Sequence, residues 1–337
     1  IRPRDWSSDV CSSDLVAQVP DSRLLALSEM SKTKKTVHAS VQVVDIGGLV
    51  EGASKGEGLG NKFLSNIREV DAIVFVLRAF KDDDVPGPDD PLEHLRVVEV
   101  ELALADLETV EKRLKTASKA ARVDKNATEE AEAMQRAYDV LAEGIPIYRS
   151  NLSKDDRDAL APHFLLTNRP VLAVVNVGEN ELDRIPVEVE RVRNEMCPAG
   201  ITADIEVIGM SVQIEAEAAQ LEEADRTEML EALGLGDGAL TTMVRSAYHL
   251  LGLRTYFTTG EKETRAWTFY AGSSAPECAG RIHSDFQRGF IKAEVIHWDE
   301  LLDIGSWTKA KELGKIRIEG KDYHPVDGDV MEFRFNV

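Results

Sequence analysis

Cysteine is scarce in this chain: Cys11, Cys197 and Cys278 are odd in number, far apart and never in a C-x-x-C. That excludes a disulfide framework and a structural zinc site of the usual spacing. Long apolar runs are missing as well. Nothing approaches about 18 consecutive apolar residues and there is no signal-peptide core, so a cytoplasmic location with no membrane partner is expected. Positive charge is short, 40 Lys+Arg against 60 Asp+Glu, a formal net charge of −20. Broad electrostatic attachment to nucleic acid is thereby excluded, and any RNA contact must come from a local patch. The imbalance is uneven: Gly252–Val337 holds 12 Lys+Arg and 14 Asp+Glu, so nearly all of the acidic excess lies before it. Finally, G-x-x-x-x-G-K-[ST] occurs nowhere in the 337 residues. A phosphate-cradling loop of that type is therefore not encoded in them.

What is present describes a globular protein of two or three domains, with 43% hydrophobic residues and a mean hydropathy of −0.23. Val41, Val43 and Val44 read as a buried strand that delivers Asp45 to its carboxyl end, where open α/β sheets place ligands. Asp45-Ile46-Gly47-Gly48 has the form D-x-x-G. A carboxylate there suits a Mg²⁺-bound water, and the Gly48 N–H suits a terminal phosphate. Gly52, Gly56, Gly58 and Gly60 follow in a loop able to close over phosphates. Taken alone, the tetrapeptide is equally an ordinary strand turn.

Further on, Ile73–Leu77 (IVFVL) and Pro170–Val175 (PVLAVV) read as buried parallel strands. Between them, Leu107, Val110, Leu114, Ala117 and Ala121 step at helical spacing, as do Ala127, Ala131, Met134, Tyr138 and Leu141. An antiparallel helical hairpin is expected, its first helix running from Leu95 to Ala121, with Asn126 and Glu129 able to cap the second. Lys112, Arg113, Lys115, Lys119, Arg122 and Lys125 gather near its tip. They form either an RNA-phosphate patch or a solvated helix face. The second strand leads to Asn176-Val177-Gly178-Glu179, and Asp204–Met210 makes another strand before Ser211. Ser211 reads as a helix N-cap, and its backbone N–H and that of Val212 as candidates to face a base. From Leu253 the pattern alternates, with Asp327-Gly328 as a turn before Met331, Phe333, Phe335 and Val337. His283-Ser284-Asp285 has no ligand-spaced partner and reads as structural hydrogen bonding.

The string DIGGLVEGASKGEGLGNKFLSNIREVDAIV resembles the switch II segment of the YchF or Obg-like ATPase family, a branch of the Obg-related P-loop NTPases. The resemblance runs from about Val16 to Val337. Residues 1–15, with Ser7-Ser8-Asp9 echoed by Ser12-Ser13-Asp14, instead resemble translated sequencing-adapter read-through, or else form a disordered tail. The resemblance implies an α/β fold: a mostly parallel, Rossmann-like P-loop NTPase domain at 16–90 and 165–250, here without its P-loop. It also implies an inserted helical hairpin at 91–164 and a β-grasp-like TGS domain at 251–337. The expected ligands are ATP and Mg²⁺, with Asp45 on the metal through water and Gly48 at the γ-phosphate. Asn176, Val177, Glu179, Ser211 and Val212 are expected at the base. The N-x-x-E form, with Val177 and Glu179 where guanine-specific relatives carry Lys and Asp, implies adenine over guanine. Leu49 stands where most P-loop GTPases carry the water-orienting Gln, so hydrolysis is expected to be slow. Implied partners are the ribosome, its large subunit above all, and tRNA or rRNA through the hairpin tip or the TGS domain. Two other readings stay open: a non-catalytic ribosome- or RNA-binding module, and a GTP-specific GTPase.

Overall fold

A computed structural model describes residues 15–45, 67–68, 70–82, 87–120, 126–198 and 205–336. Short 3-10 turns aside, the chain begins with β1 (Leu15–Gln18), α1 (Ser22–Met30), β2 (Thr36–Val37) and β3 (Ser40–Val43). Then come β4 (Ile73–Arg78), α2 (Pro91–Ala120), α3 (Asn126–Ala142), α4 (Lys154–Leu160), β5 (Val171–Asn176) and α5 (Ile185–Met196). β6 (Val207–Met210), α6 (Val212–Ala218), α7 (Glu223–Ala232) and α8 (Ala239–Leu250) follow. The last third holds β7 (Leu253–Thr258), β8 (Thr264–Tyr270), α9 (Ala275–Ile282), α10 (Ser284–Arg288) and β9 (Phe290–His297). It closes with α11 (Trp298–Ile304), α12 (Trp307–Glu312), β10 (Arg317–Glu319) and β11 (Asp329–Phe335). The class is α/β. Two compact units divide the chain, one containing Val43–Met243, the other Val16–Gln42 with Val244–Val337.

The first unit is built on a parallel sheet in the order β4-β5-β6, with Ile73 opposite Val171 and Arg78 opposite Asn176. Its strands are apolar on both faces because crossover helices cover a parallel sheet from both sides. Phe75, Leu77, Ala173, Val175 and Val177 share one core with Leu95 and Leu102 of α2 and Val192 and Met196 of α5. β4 is the edge strand, and Val76 there is 56% exposed.

The helical hairpin forms as the spacing predicts. α2 starts four residues earlier than Leu95, because Pro91 suits the first helical position and Asp90 Oδ1 accepts the Leu92 N–H at 2.8 Å. At 1.5 Å per residue, α2 is about 45 Å long. Val110 packs with Met134, Ala137 and Leu141 of α3. At its root the buried Asp106 carboxylate accepts the N–H groups of Leu166 (2.8 Å) and Thr167 (2.7 Å) and the Thr167 hydroxyl (2.7 Å). α4 opens with a capping box between Ser153 and Asp156, and Arg136 of α3 donates to Asp156. Ser153→Ala should lower stability by about 1 kcal/mol in urea unfolding, the usual worth of a cap. Burial alone would raise the Asp156 carboxyl, but hydrogen bonds from Arg136 and Ser153 hold it below its ordinary value. Its stabilising contribution is present above the unfolded-state value and is lost as pH falls through the depressed one. Asp156→Asn should therefore flatten the acid limb of the stability profile, and an unchanged limb would refute the linkage.

In the second unit a six-stranded mixed sheet has the order β10-β9-β11-β7-β8-β2. Tyr256, Phe269, Val295, Met331 and Phe333 form its core against Ala275, Cys278 and Ala279 of α9. Gly328 follows Asp327 in the expected turn at φ +96°, and a Cβ there would come within 2.6 Å of Trp298 Cδ1, so the turn requires glycine. His283 acts structurally: its Nδ1 accepts the Asp285 N–H at 3.2 Å. Among the described residues no group of three or more His, Cys, Asp or Glu is placed to hold a metal. Val16–Gln42, expected within the nucleotide-binding stretch, is grouped here. β2 pairs in parallel with β8, and Arg23 bridges Asp21 (2.8 Å) and Asp327 (2.6 Å). β3 departs from the expected buried strand. Only Val41 is buried, and β3 pairs with β1 in a two-stranded sheet that leaves its other side uncovered by a parallel ladder.

Candidate nucleotide site

The carboxyl edge of β4-β5-β6 is set by register: Arg78, Asn176 and Met210 end the three strands side by side. Past it, the Val177 N–H donates to Met210 C=O at 2.9 Å, holding the segment after β5 against β6. Asn176 Oδ1 accepts the Val212 N–H at 3.0 Å, tying β5 to the start of α6. Asn176, Val177, Ser211 and Val212 are thus brought together. With Oδ1 occupied, the Nδ2 donors of Asn176 remain for a ligand.

The individual placements differ from residue to residue. Val177 is 2% exposed and its side chain lies in the sheet core, so only its backbone belongs to the edge. Glu179 is exposed, and its carboxylate accepts from Asn180 Nδ2 at 3.3 Å. Ser211 is 2% exposed and stands at the N-cap position of α6, but its hydroxyl makes no capping bond and has no partner. The N-cap reading of its side chain is therefore not met; the Asn176 amide serves the Val212 N–H instead. Asp45 lies beyond β3, exposed, with no hydrogen bond among the described residues. Gly48, Leu49 and the glycines from Gly52 to Gly60 lie outside the described residues.

Two residues were not anticipated. Arg78 is buried at the end of β4, donating to Phe80 C=O (2.9 Å) and Asp82 C=O (2.8 Å). The sequence signal was an arginine closing an uninterrupted apolar run. His94 faces it, and burial, with the Arg78 charge beside it, pushes the imidazole below its ordinary value. Glu215 of α6 is buried, and its Oε1 accepts the Ala239 N–H at 2.6 Å at the start of α8. Nothing in the local pattern marks that bond, which joins residues 24 apart.

At the hairpin, charge is partly neutralised locally. Lys112 pairs with Glu108 and Lys115 with Glu111 (3.3 Å), one helical turn back. Arg113 meets His163 Nδ1 at 2.9 Å. Lys119 is exposed without an ion pair among the described residues, and Arg122 and Lys125 lie outside them. No helix among the described residues is long and apolar enough to cross a membrane.

Comparison with known proteins bears on the whole chain. A family model described as "50S ribosome-binding GTPase" matches residues 25–177. The YchF-GTPase carboxyl-terminal model, described as a protein of unknown function, matches residues 253–336. "Ribosome-binding ATPase YchF" of Bacillus subtilis is 46% identical over 96% of this chain and 88% of its own length. The Haemophilus influenzae protein of the same name is 43% identical over the same shares. A solved structure, the Schizosaccharomyces pombe YchF GTPase, matches with a TM-score of 0.83 at 33% identity, covering 95% of this chain and 86% of that one. On those identities and that coverage, the chain belongs to the YchF family.

Proposed function

We propose that this chain is a nucleotide-binding switch protein of the hydrolase class that works at the ribosome, with ATP and Mg²⁺ as its ligands. The observation that carries the reading is the sheet edge where Asn176 is held by the Val212 N–H at 3.0 Å beside the buried Ser211. That edge is where open α/β sheets bind nucleotides. Relatives named as ribosome-binding ATPases support it. Asp45 fits Mg²⁺ as an exposed oxygen donor without a competing partner among the described residues. When bound, the metal would bridge phosphate oxygens and offset their charge. Gly48 is assigned to the γ-phosphate on family grounds, and Leu49 cannot orient a water.

The free edge of β4 suits a further parallel strand. Sequence upstream of Val16 that encodes a strand followed by G-x-x-x-x-G-K-S would supply the phosphate loop. Without one, the second reading applies: residues 251–337, taken as a TGS domain, and the hairpin dock on large-subunit rRNA or tRNA without catalysis. The absence of G-x-x-x-x-G-K-[ST] in these 337 residues favours it for the chain as it stands.

Base choice tests the proposal directly. Asn176 Nδ2 donates to a purine ring nitrogen, and adenine's amino group goes to a backbone carbonyl. Glu179 is one methylene too long for the paired acceptance that Asp gives guanine. In a chain carrying a P-loop, Glu179→Asp should move the ATP/GTP dissociation-constant ratio toward GTP about tenfold, since one charged hydrogen bond is worth roughly 1–3 kcal/mol. A parent that already prefers GTP, or a ratio that stays put, would show that these residues do not choose the base.

The ribosome contact has its own test. Reversing Lys115, Lys119 and Arg122 to Glu should weaken co-sedimentation with ribosomes and flatten its dependence on salt. The pairs made by Lys112 and Lys115 are exposed and cost little to exchange for phosphates. Unchanged co-sedimentation would return the patch to an ordinary solvated face.

A further inference from the structure

The carboxyl-terminal sheet has an opening in its plane. β11 pairs with β9 through seven residues but with β7 only through Val330 opposite Phe257. A cleft of about 350 Å³ lies at that gap, lined by the consecutive residues Val330, Met331, Glu332 and Phe333 and by Thr258 and Thr259. Successive strand residues point to opposite faces. A cleft reached by four in a row is therefore edge-on to the strand, not above one of its faces. Backbone phase agrees. The Trp298 N–H donates to Gly328 C=O at 3.1 Å, which sets the alternation of the β11–β9 ladder. In that phase Val330, Glu332 and Arg334 bond to β9, so Met331 and Phe333 turn their N–H and C=O groups toward the gap. The single bridge at Val330 engages part of Met331, which leaves the Phe333 pair facing the cleft.

The two sides of the gap differ chemically. Met331 and Phe333 belong to the core face, where Ile282 and Phe286 also line the cleft. On the other side, Glu332 stands opposite Glu294, and Lys311 of α12 reaches Glu294 at 2.9 Å. α12 therefore lies over the Glu332 side, and its Trp307 lines the cleft there. Glu332 is the one ionisable lining residue, and its partner Arg334 (3.1 Å) is an exposed pair of little energetic weight.

We propose that this gap receives an extended peptide segment of a partner protein, added as a strand along β11, in which apolar residues alternate with Lys or Arg. The apolar side chains pack on Ile282 and Phe286. The cations meet the Glu332 carboxylate and the Trp307 ring. Backbone bonding to Phe333 supplies the strand-addition contact.

The test is NMR titration of the full chain with two blocked hexapeptides, alternating valine–lysine and alternating valine–glutamate. The lysine peptide should shift the Phe333 amide and the Met331 methyl saturably, at least tenfold tighter than the glutamate peptide. Glu332→Lys should invert that order, and Glu332→Gln, which keeps the shape, should erase the preference. Equal binding of the two peptides, an order unmoved by both variants, or shifts on the outer edge of β10 at Arg317–Glu319 would each overturn the proposal.

Discussion

Isothermal titration of the 337-residue chain with MgATP should return a dissociation constant in the millimolar range or weaker. The described sheet edge offers donors to a base but no phosphate cradle. G-x-x-x-x-G-K-[ST] is absent from the sequence, and with it the successive N–H groups and the lysine that such a loop aims at the β- and γ-phosphates. Charged hydrogen bonds are worth roughly 1.5–3 kcal/mol each. Losing two or three moves a micromolar complex, about −8 kcal/mol, to a millimolar one near −4 kcal/mol. Low-micromolar MgATP binding by this chain would show that its phosphates are held by groups other than a P-loop.

The second large effect is on stability. Rebuilding the guanine-type N-K-x-D sequence requires Val177→Lys, and Val177 is 2% exposed within the β5 core beside Val175 and Ala173. The new ammonium has no acidic partner in that cluster and must be buried, neutralised or extruded with the backbone that carries it. A buried unpaired charge costs about 3–5 kcal/mol. Urea unfolding followed by circular dichroism should show the first transition moved accordingly, whereas Glu179→Asp, on the exposed loop, should stay within about 0.5 kcal/mol of the parent. A stable Val177→Lys chain would mean the side chain finds a route to solvent that the packing does not show.

The core position of Val177 was open to reading from the sequence. Ala173, Val175 and Val177 alternate on one face of a strand, so simple period-2 reasoning places all three inward. Matching the segment to a base-recognition motif drew attention to the side chain, when the fold uses that residue's amide. Ser211 shows the converse. Ser before a helix reads as an N-cap, but the Val212 N–H is taken by Asn176 from a neighbouring strand, and the hydroxyl is left buried and unpartnered.

Several features were determined by sequence alone. The apolar runs gave the parallel strands, helical spacing gave the hairpin, alternation gave β11, and the switch-like string pointed to the family. Each depends on residues a few positions apart, where periodicity and turn chemistry act directly. Tertiary structure alone decided the rest. Val16–Gln42 joins the carboxyl-terminal unit through β2 and β8, which pair Thr36 with Thr264. Asp106 becomes the acceptor for two backbone amides about 60 residues away. The gap beside β11 exists because β7 stops pairing after one residue. Contacts of that kind leave no local period: an acid or a two-residue strand looks the same in sequence whether or not a distant segment arrives to satisfy it. The arrival is fixed by the sum of packing over the whole unit.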